Sequence, residues 1–228
     1  TCRYTGALYD VLPAGGVIAR FGLGCDSIDL ARAHRRGLLV TNTPGVLEQA
    51  VAEHTIGLIL AAAKNIGSST RDLRAGQWQQ KRSMELAGRT LAVIGCGAIG
   101  RRVGRAAKHG LGMRVVGFDH RPETGRLLQA YGFDEVTESF SSAVKDACVV
   151  TLHLSATPSD RPFVNASRLA RIPASAIVVN TGRGFHLDEG GLFRALRDGK
   201  LKGAALDVFQ HEPYEPVSAD EDLRTQSN

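Results

Sequence analysis

The chain has 228 residues, 43% of them hydrophobic, so it can bury the core of one large domain or of two unequal ones. Aromatic residues are sparse at 6% and glycines are frequent, which suits helices packed closely on a buried parallel sheet. The net charge of +5 comes from scattered Lys and Arg residues without a basic run, which argues against binding to nucleic acid or to a membrane surface.

Four cysteines (Cys2, Cys25, Cys96 and Cys148) show no CxxC spacing, so neither a disulfide framework nor a zinc site is indicated, and we expect no metal. The longest apolar run, residues 56–63, is too short to span a bilayer. No basic-then-apolar leader opens the chain. These features predict a reduced, cytoplasmic protein.

The first fifty residues contain few regular elements. Residues 17–22 are typical of a short buried strand, residues 29–37 of a helix that ends at Gly37, and residues 38–41 of a second strand. A Pro-Gly break follows, and from Glu48 to about Asn65 apolar residues recur at the spacing of a long helix.

After a polar stretch, strand and helix patterns alternate. Strands are predicted at residues 90–94, 114–118, 148–152, 176–180 and 203–206, and helices at residues 99–109, 123–131, 140–145, 166–171 and 189–197. Such alternation with uniformly apolar strands predicts a parallel sheet covered on both faces by right-handed crossovers. The chain enters almost directly into a strand and stops where another strand would be expected, so we expect a fragment.

A glycine-rich loop lies between the first of these strands and its helix. Gly95, Gly97 and Gly100 form a G-x-G-x-x-G pattern, in which the first allows a tight turn, the second lets a pyrophosphate approach the backbone and the third lets the helix pack on the strand. Phosphates would bind at the helix N-terminus, where free N–H groups and the helix dipole favour negative charge. The pattern alone is weak, because a glycine-rich turn without a ligand is also compatible with it.

The next strand supports the dinucleotide interpretation. It ends in Asp119, 119 − 95 = 24 residues after the first glycine, where an acid accepts hydrogen bonds from both adenosine ribose hydroxyls. Such an acid repels the 2′-phosphate of NADP, so NAD is the expected cofactor, although Arg121 is close enough to soften that preference.

Two later strands also end in polar residues. Arg183 follows the strand at 176–180, and Asp207 follows the strand at 203–206. In an open α/β sheet these ends face the ligand crevice. Each residue alone is also compatible with a simpler role, Arg183 as a solvated turn residue and Asp207 as a helix cap.

Several segments together resemble the D-isomer-specific 2-hydroxyacid dehydrogenases, which include phosphoglycerate dehydrogenase and glyoxylate/hydroxypyruvate reductases. They are NTGRG, GAALDVF followed by EP, RFGLGCDSIDL, NTPG and AEHTIGLIL, and the resemblance runs from about Val17 to Asn228. It implies a Rossmann-type doubly wound parallel sheet plus part of a flavodoxin-like substrate domain, with the active site in the cleft between them. Residues 1–46 would be the partial substrate-binding domain, and residues 47–228 the NAD-binding domain without its C-terminal strand and return helix.

The resemblance also implies roles for individual residues. Arg183 would hold the 2-oxo acid in a fork that polarises its carbonyl, and Glu212 would pair with the catalytic histidine and raise its pKa. Further expected contacts are the pyrophosphate at Ala98 and Ile99, the cofactor at Leu154, the nicotinamide at Thr181, Gly182 and Asp207, and the substrate carboxylate at the amides of Leu23 and Gly24.

The chain departs from the family pattern in two places. Ser155 stands where the family usually has proline, a change of small expected consequence. The family's catalytic histidine lies in a Pro-His pair beyond the next strand, and none of the seven histidines here occupies that place. His211 and His186 have no match, and His34, His54, His109 and His120 are interpreted as structural.

The sequence therefore predicts an oxidoreductase that transfers a hydride between NAD(H) and a small D-2-hydroxy or 2-oxo acid, working as a homodimer. The present chain is expected to turn over poorly because it lacks the general acid. An alternative from another class is a non-catalytic NAD-responsive regulator, since the C-terminal-binding corepressors use the same fold.

Overall fold

The computed structural model describes residues 4–120, 125, 129–155 and 162–226. The chain divides into two compact units, one up to Ala50 and one from Val51 onward. The domain boundary between residues 46 and 47 stays a prediction. Within the described ranges, no helix is both long enough and apolar enough to cross a membrane.

The first unit contains two short helices and two short strands. They are α1 (Gly6–Val11), β1 (Val17–Ala19), α2 (Leu30–Arg35) and β2 (Leu39–Thr41), and the two strands pair in parallel. Its core consists of Tyr9, Ile18, Ile28, Ala33 and Leu38.

Two expectations for this unit were wrong. A helix, α1, precedes the first strand, where the sequence was expected to enter almost directly into a strand. The strand β1 also ends at Ala19 instead of residue 22, because the chain turns at Gly22, whose φ of +124° is open to glycine but strained for other residues.

The second unit is built on a six-stranded sheet whose neighbouring strands are all parallel. Its strands are β3 (Thr90–Ile94), β4 (Arg114–Phe118), β5 (Glu135–Thr137), β6 (Ala147–Leu152), β7 (Ile177–Asn180) and β8 (Gly203–Leu206). Their order is β5-β4-β3-β6-β7-β8, the order of the dinucleotide-binding doubly wound fold. The predicted Rossmann-type sheet is confirmed.

Helices cover both faces of this sheet. The helices from Glu48 onward are α3 (Glu48–Ala63), α4 (Ile66–Arg74), α5 (Ala98–Leu111), α6 (Phe140–Val144), α7 (Ala166–Leu169) and α8 (Glu189–Arg197), with single 3₁₀ turns at Gly184–His186 and Leu223–Thr225. All of these helices except α4 contribute residues to the core clusters. One core cluster combines strand residues with α6, α7 and α8, and a second combines them with α3 and α5. Every residue of β3, β6 and β7 is buried, which explains their largely apolar sequences.

Three features of this unit differ from the sequence prediction or lie beyond it. The edge strand β5 was missed because it has three residues and pairs on one side only. The helix α4 was missed because its sequence is polar overall and it buries no residue, so it was interpreted as part of a polar stretch. The helix predicted at 123–131 lies mostly outside the described residues.

Candidate active site

The candidate site lies at the carboxyl ends of the parallel strands. The central strands β3 and β6 are neighbours, and the chain leaves β3 towards β4 on one side and β6 towards β7 on the other. The order of the strands reverses at this point, and the loops after β3 and β6 diverge and leave a crevice between them.

The glycine loop after β3 is shaped by close backbone contacts. Gly95 has a φ of +95°, its amide donates to the carbonyl of Phe118 over 2.9 Å, and a Cβ there would lie 2.6 Å from the carbonyl oxygen of His153. A Cβ on Gly100 would overlap the carbonyl oxygen of Gly95. Both positions therefore require glycine, as the motif predicts.

The N-terminus of α5 is open to a ligand. A Cβ on Gly97, the N-cap residue, would meet no atom of the described residues within 4 Å. In the part of the chain that the structure describes, no side chain caps the N-terminus of this 14-residue helix, and its first turn contains no acid. The free amides of Ala98 and Ile99 and the space beyond Gly97 fit a pyrophosphate group.

Asp119 lies beside this loop at the end of β4. Its side chain is 3% exposed, and Oδ2 accepts a hydrogen bond from the amide of Cys96 over 3.0 Å. Oδ1 lies 3.7 Å from Nδ1 of His120. The carboxylate therefore ties the end of β4 to the glycine loop, and its contact with ribose stays a prediction. Arg121 lies outside the described residues.

The end of β6 brings a neutral histidine to the crevice. The amide of His153 donates to the carbonyl of Ile94 over 2.7 Å, and its Nε2 lies 3.0 Å from Oγ1 of Thr151. Burial lowers the pKa of His153 to about 3, so the imidazole is neutral at physiological pH. Its Nδ1 is buried and has no hydrogen-bond partner among the described residues. Leu154, the predicted cofactor contact, follows it directly.

The turn that carries Arg183 is held by Asn180, the last residue of β7. Asn180 is fully buried, its Nδ2 donates to the carbonyl of Arg183 over 3.0 Å, and its Oδ1 accepts from the amide of Gly182 over 3.1 Å. Nη1 of Arg183 also donates to the carbonyl of Gly182, over 2.9 Å. Sequence reasoning missed Asn180, although an Asn that bonds its own backbone is a known turn device.

Two neighbouring residues of α3 contact the predicted nicotinamide residues. Oγ1 of Thr55 lies 2.8 Å from Oγ1 of Thr181, and both threonines are buried. Nε2 of His54 lies 3.3 Å from Oδ1 of Asp207, and both of these side chains are half exposed. Neither pair could be predicted from the sequence, because the partners are far apart along the chain, by 126 residues in the case of the two threonines.

Glu212 lies on the loop after β8. Its side chain is exposed, and Oε1 accepts a hydrogen bond from the amide of Phe209 over 3.2 Å. The same loop is held by Glu189, a buried acid in the first turn of α8 that accepts from the amide of Gln210 over 2.5 Å. Burial raises the pKa of Glu189, although the Gln210 amide and His211 favour its charged form. Sequence reasoning missed Glu189, because an acid in a first turn reads as an ordinary helix-dipole residue.

The two predicted substrate residues of the first unit lie in a tight loop. The carbonyl of Leu23 accepts from Nδ2 of Asn42 over 2.9 Å, and that of Gly24 accepts from Nε of Arg20 over 3.2 Å. Neither residue's amide donates a hydrogen bond within the described part of the chain. Both amides are therefore available to an anion, and their contact with substrate stays a prediction.

In the second unit, the structure brings most predicted residues to the carboxyl ends of one sheet. The glycine loop follows β3, Asp119 follows β4, Leu154 follows β6, the Arg183 turn follows β7, and Asp207 follows β8. Glu212 is further along the loop after β8. The individual roles of these residues remain predictions.

Comparison with known proteins agrees with this geometry. Residues 56–228 match the model of the family described as D-isomer specific 2-hydroxyacid dehydrogenase, NAD binding domain. The chain is 41% identical over 200 residues to the D-3-phosphoglycerate dehydrogenase of Methanocaldococcus jannaschii, and the aligned region covers 86% of this chain and 37% of that protein. It is 37% identical over 210 residues to the hydroxypyruvate reductase of Thermotoga maritima, and this aligned region covers 90% of this chain and 66% of that protein.

A solved structure agrees as well. The crystal structure of D-lactate dehydrogenase from Aquifex aeolicus, complexed with NAD and lactic acid, superposes with a TM-score of 0.75 at 32% identity. The match covers 86% of this chain and 59% of that one, so this chain spans only part of the proteins it resembles. The chain belongs to the D-isomer-specific 2-hydroxyacid dehydrogenase family, and residues 56–228 are the NAD-binding domain of that family.

Proposed function

We propose that this protein transfers a hydride between NAD(H) and a small D-2-hydroxy acid or its 2-oxo acid. One observation carries the proposal: a dinucleotide loop after β3 and an arginine turn after β7 lie at the carboxyl ends of the same sheet, with β6 between them. The relatives named above are dehydrogenases or a reductase, which supports an enzyme. No observation on the described residues favours the non-catalytic regulator.

The cofactor end of the site is proposed to bind through backbone amides and acids. The amides of Ala98 and Ile99 hold the pyrophosphate, and Asp119 accepts hydrogen bonds from the adenosine ribose. Thr181, Gly182 and Asp207 hold the nicotinamide, and Leu154 contacts the cofactor. NADH bound in this way supplies the hydride.

The substrate end is proposed to orient the 2-oxo acid. The guanidinium of Arg183 binds the carboxylate and carbonyl oxygens in a fork, which fixes the carbonyl and withdraws charge from its carbon. The amides of Leu23 and Gly24 bind the carboxylate. Glu212 pairs with the histidine that donates the proton and raises its pKa, which keeps that histidine protonated at neutral pH. The resemblance predicts this histidine in a segment for which the 228 residues contain no match.

The proposal is tested by following NADH absorbance with a panel of 2-oxo acids, including glyoxylate, hydroxypyruvate and pyruvate. The polypeptide encoded by the complete reading frame should reduce at least one of them and, in reverse, oxidise the D- but not the L-hydroxy acid. The 228-residue chain should bind NADH and turn over slowly. Ordinary turnover by the 228-residue chain would refute the need for a further histidine. If the polypeptide from the complete reading frame bound NADH but reduced none of the acids, the proposed dehydrogenase activity would be refuted.

Asp119 also carries a proposal on cofactor choice. Its carboxylate repels a 2′-phosphate, so NADH should bind at least about tenfold more tightly than NADPH, which corresponds to ~1.4 kcal/mol. In Asp119→Asn this preference should shrink. Equal affinities for the two cofactors in the unmodified protein would contradict the assignment.

We also propose a homodimer in which α4 takes part. This helix buries none of its residues within the chain, yet Ile66 and Leu73 are more than half exposed and Trp78, just beyond it, is 87% exposed. Exposed apolar residues in this number suit a protein contact. Light scattering should give a molar mass twice that of one chain, and in Leu73→Asp the molar mass should fall to that of a single chain. A monomer at all concentrations would contradict the proposal.

The reduced, cytoplasmic setting also remains a proposal. It is supported by Cys25, Cys96 and Cys148, which form no disulfide in the described part of the chain. Reaction with a thiol reagent after denaturation of protein taken from its own cells would test it, and blocked cysteines would contradict it.

A further inference from the structure

Glu189 is a buried carboxylate to which the proposed chemistry gives no role. It is 2% exposed and follows Asp188, the residue that caps α8 through the amide of Gly191. Its Oε1 accepts the hydrogen bond from the amide of Gln210 at 2.5 Å. A buried acid costs free energy unless its partners compensate, and this hydrogen bond, together with the nearby charge of His211, stabilises the charged form of Glu189.

The peptide that Glu189 holds is also fixed from other directions. Nε2 of Gln210 donates to the carbonyl of Leu187 over 2.7 Å. Gly184 packs so closely on this peptide that a Cβ there would overlap the carbonyl group of Phe209. The amide of Phe209 donates to Oε1 of Glu212.

These contacts connect Arg183, which is proposed to bind the substrate, with Glu212, which is proposed to raise the pKa of the proton-donating histidine. Gly184 follows Arg183 directly, and the Phe209 amide is bonded to Glu212, so the Phe209–Gln210 peptide lies between them. Along the chain Arg183 and Glu212 are 212 − 183 = 29 residues apart. The short route between them runs through this peptide, and Glu189 holds the peptide in place.

We propose that Glu189 is a positioning residue that fixes the Phe209–Gln210 peptide and thereby sets the position of Glu212 relative to Arg183. This inference rests on the proposed function. Glu189 touches neither substrate nor cofactor and acts only through the loop.

The test compares two substitutions of Glu189 with a control substitution of another acid, Glu221, whose partner lies on the same helix. Glu189→Gln keeps an oxygen that accepts from the Gln210 amide, whereas Glu189→Leu has similar volume and no acceptor. Glu221→Gln is the control, because Glu221 is a partner of Arg194 at the surface of α8. Two readouts are used: hydrogen exchange of the 228-residue chain, and kinetics of the polypeptide from the complete reading frame.

Glu189→Leu should speed exchange at residues 207–214 and leave residues 95–100 unchanged. Its kcat should fall at least about tenfold and the KM for the 2-oxo acid should rise, with an NADH Kd within about twofold of the unmodified protein. The alkaline limb of its pH profile should move to lower pH, since a displaced Glu212 no longer raises the pKa of the proton donor. Glu189→Gln and Glu221→Gln should behave as the unmodified protein does.

Unchanged exchange at residues 207–214 in Glu189→Leu overturns the inference, whatever the activity. So does an equal loss of kcat in the Gln and Leu variants, because the charge and not the held peptide would then matter. If Glu189→Leu does not fold, Glu189→Ala, which also removes the acceptor of the Gln210 amide but adds no bulk to the core, takes its place and should give the same shift. No change in that variant then overturns the inference. An inactive unmodified protein with the expected exchange pattern refutes the proposed function but not the positioning.

Discussion

The two ends of the crevice are built in different ways. The nucleotide end is formed mainly by the backbone of one short segment, in which Gly95, Gly97 and Gly100 lie within six residues. The loop depends on the positive φ of Gly95 and on the close backbone contacts of Gly95 and Gly100. The substrate end, taken here to include the residues proposed to hold the nicotinamide, depends on side chains that contact residues far away in the sequence, as Thr55 contacts Thr181 and Glu189 contacts Gln210.

This difference follows from what each end must do. A pyrophosphate needs donors and space, which a helix N-terminus and three glycines supply locally. Hydride transfer needs the reacting carbonyl held in a narrow range of positions, which depends on supporting side chains packed around the site. Changes at the nucleotide end should therefore act on cofactor affinity, and changes at the substrate end on turnover.

The largest effect is expected at Arg183. Arg183→Ala should lower kcat/KM for the 2-oxo acid by about a thousandfold, because it removes the group that orients and polarises the carbonyl. Arg183→Lys should recover little of this, since an ammonium cannot form the fork. The NADH Kd should stay within about twofold in both variants. Steady-state kinetics and an NADH titration check this, and a parallel loss of NADH affinity would blur the division between the two ends.

A smaller effect is expected at the third glycine of the loop. Gly100→Ala should weaken NADH binding by about a hundredfold, or ~2.7 kcal/mol, because its Cβ would displace the carbonyl of Gly95. The matched control is Gly110→Ala in the same helix, where a Cβ meets nothing within 4 Å. That variant should bind NADH normally and gain roughly 0.5–1 kcal/mol of stability from the helix propensity of alanine. Normal NADH affinity in Gly100→Ala would show that the loop tolerates the shift.

The smallest effect is expected at Thr55. Thr55→Val leaves the hydroxyl of Thr181 without this buried partner, at a cost of about 1–3 kcal/mol in the free energy of unfolding. A displaced Thr181 should also lower kcat more than it raises the NADH Kd. The control is Thr70→Val on the exposed surface of α4, which should change neither quantity. Denaturant unfolding and kinetics provide the two readouts, and an unchanged kcat in Thr55→Val would remove Thr181 from the substrate end.

The same division decides how much could be predicted from the sequence. Strands β3, β4 and β8 match their predicted bounds, since short apolar runs are flanked by polar or glycine residues, and α8 matches because its capping Asp188 and apolar face are both local. The nucleotide loop was predicted for the same reason. The contacts of Thr55, His54 and Glu189 were not, because only the folded sheet brings α3 and α8 to the strand ends.

The most direct test of the account replaces Gly97, the N-cap of α5, with aspartate. An aspartate is a good N-cap, so Gly97→Asp should leave the melting temperature unchanged or slightly higher. Its side chain would occupy the open space beside Gly97, and its negative charge would repel a pyrophosphate there. Gly97→Asp should therefore lose NADH affinity by at least about a hundredfold while remaining as stable as the original protein. NADH binding with the original Kd would contradict the claim that this helix N-terminus holds the cofactor.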